Sequence, residues 1–510
     1  MAVEQYLARE FGTIPELIRL HAKRAPRHVA LIQDERSLDH AALDALMDRV
    51  AAALQREGAG MGSAVAICAA NSIEYAAVFL GALRAGVAVA PLAASATAGT
   101  IAAMVADAEA THLFLDEAAA KAMQPAMCAV TARVVMLSAL DVWLGNATTP
   151  RAVDPRPEAP FNIIYSSGTT GTPKGIVQPN AMRWAHVVRS AVYGYGPEAV
   201  TLISTPLYSN TTLVSFLPTL ALGGTAVLMS KFDAARYVEL AQRHRVTHTM
   251  LVPVQYQRIM SLPDFGKYDL SSFRTKFSTS APFAAALKAD IVARWPGALN
   301  EYYGMTEGGG TCVLLAREHP GKLHTVGRPA PGTDVRLIDE DGREVAPGEV
   351  GEVVGHSAAM MTGYHKQPAM SAKAEWFDAE GKRYIRTGDV GRFDEDGFLV
   401  LLDRKKDLII SGGFNIYPSD LEAVLAAHPG VAEAAVVGVA SAQWGETPVA
   451  FVVAHPSVTL DPEALRAWAN ARLGATQRIS AVQVVESLPR SAIGKVLKRE
   501  LRDGYSQGAT

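Results

Sequence analysis

The sequence predicts an α/β protein: a large N-terminal body of layered α/β subdomains plus a β-subdomain, followed by a small, mobile α+β C-terminal domain. Three observations carry that expectation. Short β-rich runs alternate with helical pattern through roughly the first 330 residues, the texture of parallel strands covered by helices. From about Asp334 the pattern turns to alternating strands, with Asp341-Gly342 and Asp396-Gly397 placed as hairpin turns. A charged run, Asp403 to Asp407, then precedes a final stretch of about 100 residues, a length that suits a small domain.

In chain order the strand candidates are Ala64 to Ala69, Val87 to Pro91, His112 to Leu115, Val134 to Leu137, Asn162 to Tyr165, Thr201 to Ser204, Ala226 to Met229, Thr247 to Val252 and Leu299 to Tyr303. Each is a short apolar or β-branched run between helical segments. The longest apolar stretch, Leu213 to Met229, is broken by Pro218 and Gly223-Gly224, so it reads as a buried helix followed by a strand and should not span a bilayer. Phe398 to Leu402 is a strand of the β-subdomain. Beyond the charged run follow helix Pro418 to Ala427, strands Ala434 to Val439 and Pro448 to Val453, helix Pro462 to Leu473 and strand Val482 to Val485. The expected division is therefore residues 1–402, a hinge at 403–407, and residues 408–510.

Composition narrows the function. A chain of 510 residues exceeds what one hydrophobic core serves. With 49% hydrophobic and 19% charged residues it describes a well-buried soluble protein. A net charge of -3 supplies no global field for nucleic acid or an anionic membrane, so neither is expected as a partner and any polyanion must be met by local positive charge. Cys68, Cys128 and Cys312 are an odd number without metal-like spacing, which reads as reduced core thiols in a cytosolic setting. The N-terminus, MAVEQYLAREFG, has no apolar h-region, so a cytoplasmic location is expected.

The most informative segment is YSSGTTGTPKG, Tyr165 to Gly175, directly after an apolar strand. Gly168 and Gly171 let backbone N–H groups turn toward an anion, Ser166, Ser167, Thr169, Thr170 and Thr172 add hydroxyls, and Lys174 brings a compact positive charge. The spacing fails the Walker A pattern, which wants four residues between its glycines and a Gly-Lys-Ser/Thr ending. An ordinary P-loop is thereby disfavoured. On its own such a stretch reads equally well as a surface loop.

Further segments accompany it in a fixed order: YYGMTEG at Tyr302 to Gly308, YIRTGD at Tyr384 to Asp389, DRKKDLIISGGFNIYP at Asp403 to Pro418, and LPRSAIGKVLKREL at Leu488 to Leu501. Together with the loop they resemble the adenylate-forming superfamily of acyl-CoA synthetases, firefly-type luciferases and non-ribosomal adenylation domains, over essentially the whole chain. The resemblance implies ATP, Mg²⁺ and coenzyme A as ligands and a small-molecule carboxylic acid as substrate; a homodimer is possible. It implies that Ser166, Ser167, Gly168, Thr169, Thr170, Gly171 and Lys174 hold phosphate, that Ser280, Ala281 and Pro282 pack against adenine, and that Tyr302, Tyr303, Gly304, Met305 and Thr306 line the nucleotide site. Glu307 would help hold Mg²⁺, since a hard cation wants carboxylate oxygen. Read without the other motifs, Thr306-Glu307 is a helix N-cap with a first-turn acid.

By the same resemblance Asp389 accepts from the ribose hydroxyls, Arg404 assists ribose and phosphate, Lys406 is the hinge position, and Gly412-Gly413 lines the pantetheine path. Lys495 matches the catalytic lysine that neutralises the acid carboxylate and α-phosphate. The bland readings are a turn aspartate, a charged linker and a solvated tail.

Recognition of the acid is sketched by Tyr208, Ser209, Thr211, Ser215, Phe283, Tyr303, Met305 and Gly308. They are mostly neutral and mid-sized, which suits an uncharged aromatic or medium apolar acid better than a dicarboxylate or an amino acid. Ser209 stands where relatives usually carry histidine. The pattern is similar to hydroxycinnamate (ferulate or 4-coumarate) ligases, with medium-chain fatty acid as runner-up. Stand-alone loading of a carrier protein would use the same first half-reaction, whereas a non-catalytic nucleotide binder would not need Glu307, Asp389 and Lys495 together.

Overall fold

Strands Val200–Ile203, His248–Leu251 and Thr275–Ser278 carry little charge and are almost wholly buried, as parallel strands covered on both faces must be. They form the middle of a nine-stranded sheet. Its order is Arg328–Pro329, Cys312–Leu315, Ala298–Tyr303, Thr275–Ser278, His248–Leu251, Val200–Ile203, Thr225–Leu228, Val29–Gln33, Arg36–Asp39. A second sheet of seven strands runs Gly363–Tyr364, Lys174–Pro179, Pro160–Ser166, Ala88–Pro91, Ala64–Cys68, Ala110–Leu115, Arg133–Met136. The computed structural model describes residues 2–166, 174–411, 414–441, 443–456, 458–474, 477–491 and 495–508.

The chain forms two compact units, 1–334 with 355–385, and 335–354 with 386–510. Both large sheets belong to the first. Helix Ile73–Arg84, capped by the Ser72 hydroxyl accepting from Tyr75 N–H, is buried along nearly its whole length, so even its Arg84 is inside. Arg84 answers its own burial by donating to Asp48 Oδ1 at 2.9 Å and to the Asp44 carbonyl at 2.8 Å. The broken apolar stretch resolves into helix Asn210–Ala221 and strand Thr225–Leu228, as expected. Between them Gly223 adopts φ +87°, and a Cβ there would sit 2.4 Å from His21 Nδ1, so glycine is required twice over.

The second unit carries a five-stranded sheet in which Gly445–Ala454 pairs with the long antiparallel strand Val431–Ser441 and, in parallel, with Ala481–Val484. Helices Pro418–Ala426, Pro462–Asn470 and Lys498–Gly508 complete it. One apolar interior gathers Ile409, Leu421, Leu425, Val436 and Leu465; another gathers Val437, Phe451, Leu488 and Leu501. Strand Leu399–Arg404 pairs antiparallel with residues 389–393, its turn closed by Gly397 at φ +78°. That turn is the expected Asp396-Gly397 hairpin.

The mixed α/β fold class is as the sequence predicts. One expectation is corrected: Cys68 and Cys312 are buried, but Cys128 lies exposed on the turn Gln124–Ala129, of which only Ala126 and Met127 pack against the core. No described helix is long and apolar enough to cross a membrane.

Candidate active site

In the nine-stranded sheet, Ala298–Tyr303, Thr275–Ser278, His248–Leu251 and Val200–Ile203 run parallel and adjacent, so their carboxyl ends open on one edge. That edge is where open α/β sheets place ligands. The segments leaving it are the ones singled out in the sequence: Thr306-Glu307 follows the first strand, Ser280 the second, and Tyr208-Ser209 the last. These three segments are thus gathered by topology.

Thr306-Glu307 sits in a turn and not at the start of a helix, which removes the N-cap reading. The turn is fixed tightly. Gly308 has φ +78° and a Cβ there would lie 2.0 Å from the Ala359 carbonyl oxygen; Gly309 N–H donates to that oxygen at 2.9 Å, and Met361 N–H donates to the Glu307 carbonyl at 2.7 Å. The Glu307 carboxylate accepts from the Tyr364 hydroxyl at 2.9 Å. Lys174 Nζ stands 5.8 Å from the centre of the Tyr364 ring, so one tyrosine neighbours both the acid and the lysine of the expected phosphate site. Burial, reinforced by Glu307, pushes the Tyr364 phenol above its ordinary range and keeps it a neutral donor.

Ser280 holds a left-handed backbone, φ +81°, and its hydroxyl lies 2.6 Å from that of Thr211 on helix Asn210–Ala221. Strain of this kind in a non-glycine residue is characteristic of functional turns. Ala281 is half-buried and Pro282 exposed. The turn preceding the helix is clamped by buried Asn71, whose Nδ2 donates to the Thr205 and Met229 carbonyls at 2.9 and 3.1 Å while its Oδ1 accepts from Leu207 N–H at 2.7 Å. Ser209 is buried at the helix N-cap without a side-chain cap bond. Tyr208 is half-buried, its phenol pushed up by burial.

Two of the acid-pocket candidates are enclosed by other side chains. Phe283, just ahead of helix Ala285–Arg294, stacks on Tyr256 with ring centres 5.5 Å apart, in an apolar core that includes Trp295, and Lys288 Nζ lies 5.6 Å over its ring. Ser215 is wholly buried and its hydroxyl is 3.0 Å from that of Tyr195, a ring stacked between His248 and Phe277. Tyr302 extends that aromatic row on the far side of Phe277. Tyr303 is buried, Gly304 exposed, and Met305 packs against Ile176, Met361 and Ile385.

In the second unit, Asp389 and Arg404 face each other across the hairpin, Arg404 Nε donating to Asp389 Oδ1 at 2.9 Å. Lys495 lies close enough to Arg404, Lys406, Asp389 and Asp407 to feel all four: burial first, then the two cations, push its ammonium down to about 8, against the pull of the two carboxylates. Lys406 is exposed on the turn Lys405–Asp407. The four second-unit candidates are therefore neighbours. Ser167, Gly168, Thr169, Thr170 and Gly171 of the glycine-rich loop, the Ser166 side chain, and Gly412-Gly413 lie outside the described residues.

Sequence reasoning missed Asn71, Tyr364, Tyr195, Gln178 and Arg183. Gln178 Nε2 donates to the Thr306 carbonyl at 2.6 Å from a strand 128 residues away. The available signal was a pair of polar residues, Asn162 and Gln178, inside otherwise apolar strands.

Among the described residues no group of three His, Cys, Asp or Glu side chains is arranged to hold a metal. A lone carboxylate such as Glu307 fits Mg²⁺ that arrives with a polyphosphate and keeps most of its oxygen ligands from phosphate and water.

The sequence matches the AMP-binding enzyme family over residues 18–365 and the AMP-binding enzyme C-terminal domain over residues 420–495. It is 32% identical to a fatty acid–[acyl-carrier-protein] ligase of Streptomyces coeruleorubidus, with 97% of each chain covered. It is 33% identical to an indoleacetate–CoA ligase of Aromatoleum aromaticum, covering 96% of this chain and 97% of that one. A feruloyl-CoA synthase of an Amycolatopsis species is 32% identical over 94% and 96% of the two chains. Among solved structures, ATP-bound MatB from Rhodopseudomonas palustris superposes with a TM-score of 0.88 at 29% identity, covering 97% of this chain and 99% of that one.

Proposed function

The chain belongs to the AMP-binding enzyme family, and on that premise we propose that it joins a hydroxycinnamic acid such as ferulate or 4-coumarate to coenzyme A at the expense of ATP. At the coarser level it is an ATP-dependent carboxylic acid–CoA ligase of the adenylate-forming superfamily. In the first step a carboxylate oxygen attacks the α-phosphorus of ATP, forming the acyl–phosphate bond and releasing pyrophosphate. In the second the CoA thiol attacks the acyl carbon, the C–S bond forms, the C–O bond breaks and AMP leaves.

The first step brings a carboxylate toward a polyphosphate, so fixed positive charge and positioning carry its catalysis. We assign Lys495 to the incoming carboxylate and α-phosphate, Lys174 and the glycine-rich loop to the departing pyrophosphate, and Asp389 with Arg404 to the ribose. Mg²⁺ bound at Glu307 would neutralise the polyphosphate. Lys406 is assigned to the hinge that exchanges one half-reaction for the other.

The observation that carries the reading is the gathering of Thr306-Glu307, Ser280 and Ser209 at the carboxyl ends of neighbouring parallel strands. The aromatic acid is supported by the neutral lining of Tyr208, Ser209 and Thr211 and by the feruloyl and indoleacetate relatives. Two alternatives keep the same first step: a medium-chain fatty acid as substrate, or a carrier protein in place of CoA, which the Streptomyces relative exemplifies. Measuring AMP release across a panel of acids, with and without CoA, tests all three. Turnover that depends on CoA and is fastest with ferulate or 4-coumarate is expected; turnover indifferent to CoA, or confined to alkanoic acids, rejects the proposal.

A further inference from the structure

Arg183, on helix Asn180–Ser190, is 1% exposed, and among the described residues it has no carboxylate partner. Its neighbours are amides. Nε donates to Asn162 Oδ1 at 3.0 Å, and Nη2 donates to Asn210 Oδ1 at 2.9 Å and to Gln178 Oε1. Nη1 is buried without a hydrogen-bond partner among the described residues, and the guanidinium lies 5.8 Å from the Phe161 ring centre. A buried cation with no counter-ion among its described neighbours and with Nη1 unmet there costs stability, so packing alone does not account for it.

The chemistry of guanidinium orients everything around it. It has donors only, so each amide must turn its oxygen toward Arg183 and its nitrogen away. Asn162 Nδ2 then donates to Gln178 Oε1 at 2.9 Å. Gln178 Nε2 is left facing the Thr306 carbonyl, 2.6 Å away, and Asn210 Oδ1 at 3.3 Å. One charge therefore sets the position of two things: the peptide that carries Thr306 into Glu307, and the first residue of the helix bearing Thr211.

We propose that Arg183 is a positioning residue for adenylation, holding the Thr306-Glu307 turn and the acid-pocket helix in register through Gln178 and Asn210; this rests on the roles assigned above to those two elements. Arg183, 1% exposed, acts through Gln178 and Asn210 and not as a catalytic residue. Its effect should appear in the turnover of the first half-reaction and not in thiol transfer.

The test uses the full chain and two variants. Gln178→Glu keeps an acceptor for Arg183 but removes the donor to the Thr306 carbonyl; Arg183→Lys keeps the charge but cannot span three amides. Each is assayed for acid-dependent pyrophosphate release, for CoA transfer from synthetic acyl adenylate, and for Tm. We expect kcat for pyrophosphate release to fall about 10- to 100-fold in both, the range found when supporting side chains around a site are removed. Acyl transfer and the KM for CoA should hold, and the double variant should lose no more than the worse single one. An unchanged kcat with a lowered Tm, an equal loss in both half-reactions, or failure of both variants to fold would assign the network to stability alone and overturn the inference. If the unaltered protein releases no pyrophosphate with any acid, it is the ligase assignment that fails first.

Discussion

The Tyr364 hydroxyl donates to Glu307 Oε1 at 2.9 Å while the same ring lies beside Lys174 Nζ, so a residue outside every recognised motif aims the carboxylate expected to meet Mg²⁺. Tyr364→Phe removes one donor and leaves the ring. Pyrophosphate release is expected to need several-fold more Mg²⁺ and to slow by about tenfold at saturation, in keeping with the loss of an outer hydrogen bond to a metal-binding carboxylate. A Mg²⁺ titration of the variant that overlays that of the unaltered protein rejects this role.

Lys495 is expected to serve only one of the two steps. Lys495→Ala should lower acid-dependent pyrophosphate release by about 10² to 10³-fold, the value of one preorganised donor at a developing charge. Transfer from synthetic acyl adenylate to CoA should be largely retained. Equal loss of both contradicts the assignment.

Stability should fall in mild acid. Burial, with help from His40 and Arg24, pushes the His21 imidazole down to about 4, below its ordinary value of about 6.5. As pH drops through that interval the unfolded chain takes up the proton first, so the contribution is complete above about 6.5 and is lost as pH falls toward 4. It is worth at most about 3 kcal/mol. Urea unfolding at several pH values should show the fall, and His21→Gln should flatten it; a variant with an unaltered slope excludes His21 as the cause.

Gly308→Ala should be among the most damaging small substitutions in the chain. The added methyl would need a disfavoured φ of +78° and would meet the Ala359 carbonyl oxygen at 2.0 Å. A loss of about 2 kcal/mol or more is expected, together with most activity, because the same turn presents Thr306 and Glu307. Thermal denaturation and a pyrophosphate assay check both parts. Ala at Gly58, where nothing lies within 4 Å of the new Cβ, controls for the φ penalty alone.

Much of this was legible along the chain because it is local. Buried parallel strands announce themselves by unbroken apolar runs, Pro218 and Gly223-Gly224 split one run into helix and strand, and the motif residues are contiguous. What escaped is what folding brings from afar. Tyr364 meets Glu307 across 57 residues and Gln178 meets Thr306 across 128, and neither pairing leaves a mark in its own neighbourhood. Phe283 shows the same limit: its motif position names it, but which side chains surround its ring depends on Tyr256 and Lys288, and the residues next to it in the chain specify neither contact.

The second unit encloses apolar interiors of its own, from Ile409 and Leu421 to Phe451 and Leu501, separate from those of the first. Each unit thus has an independent reason to hold together, and calorimetry of the whole chain should record two overlapping heat-absorption peaks in place of a single cooperative one. Substitutions at Leu17 or Val65 would shift one peak, substitutions at Leu425 or Val452 the other, and a lone melting midpoint would hide which half had been weakened.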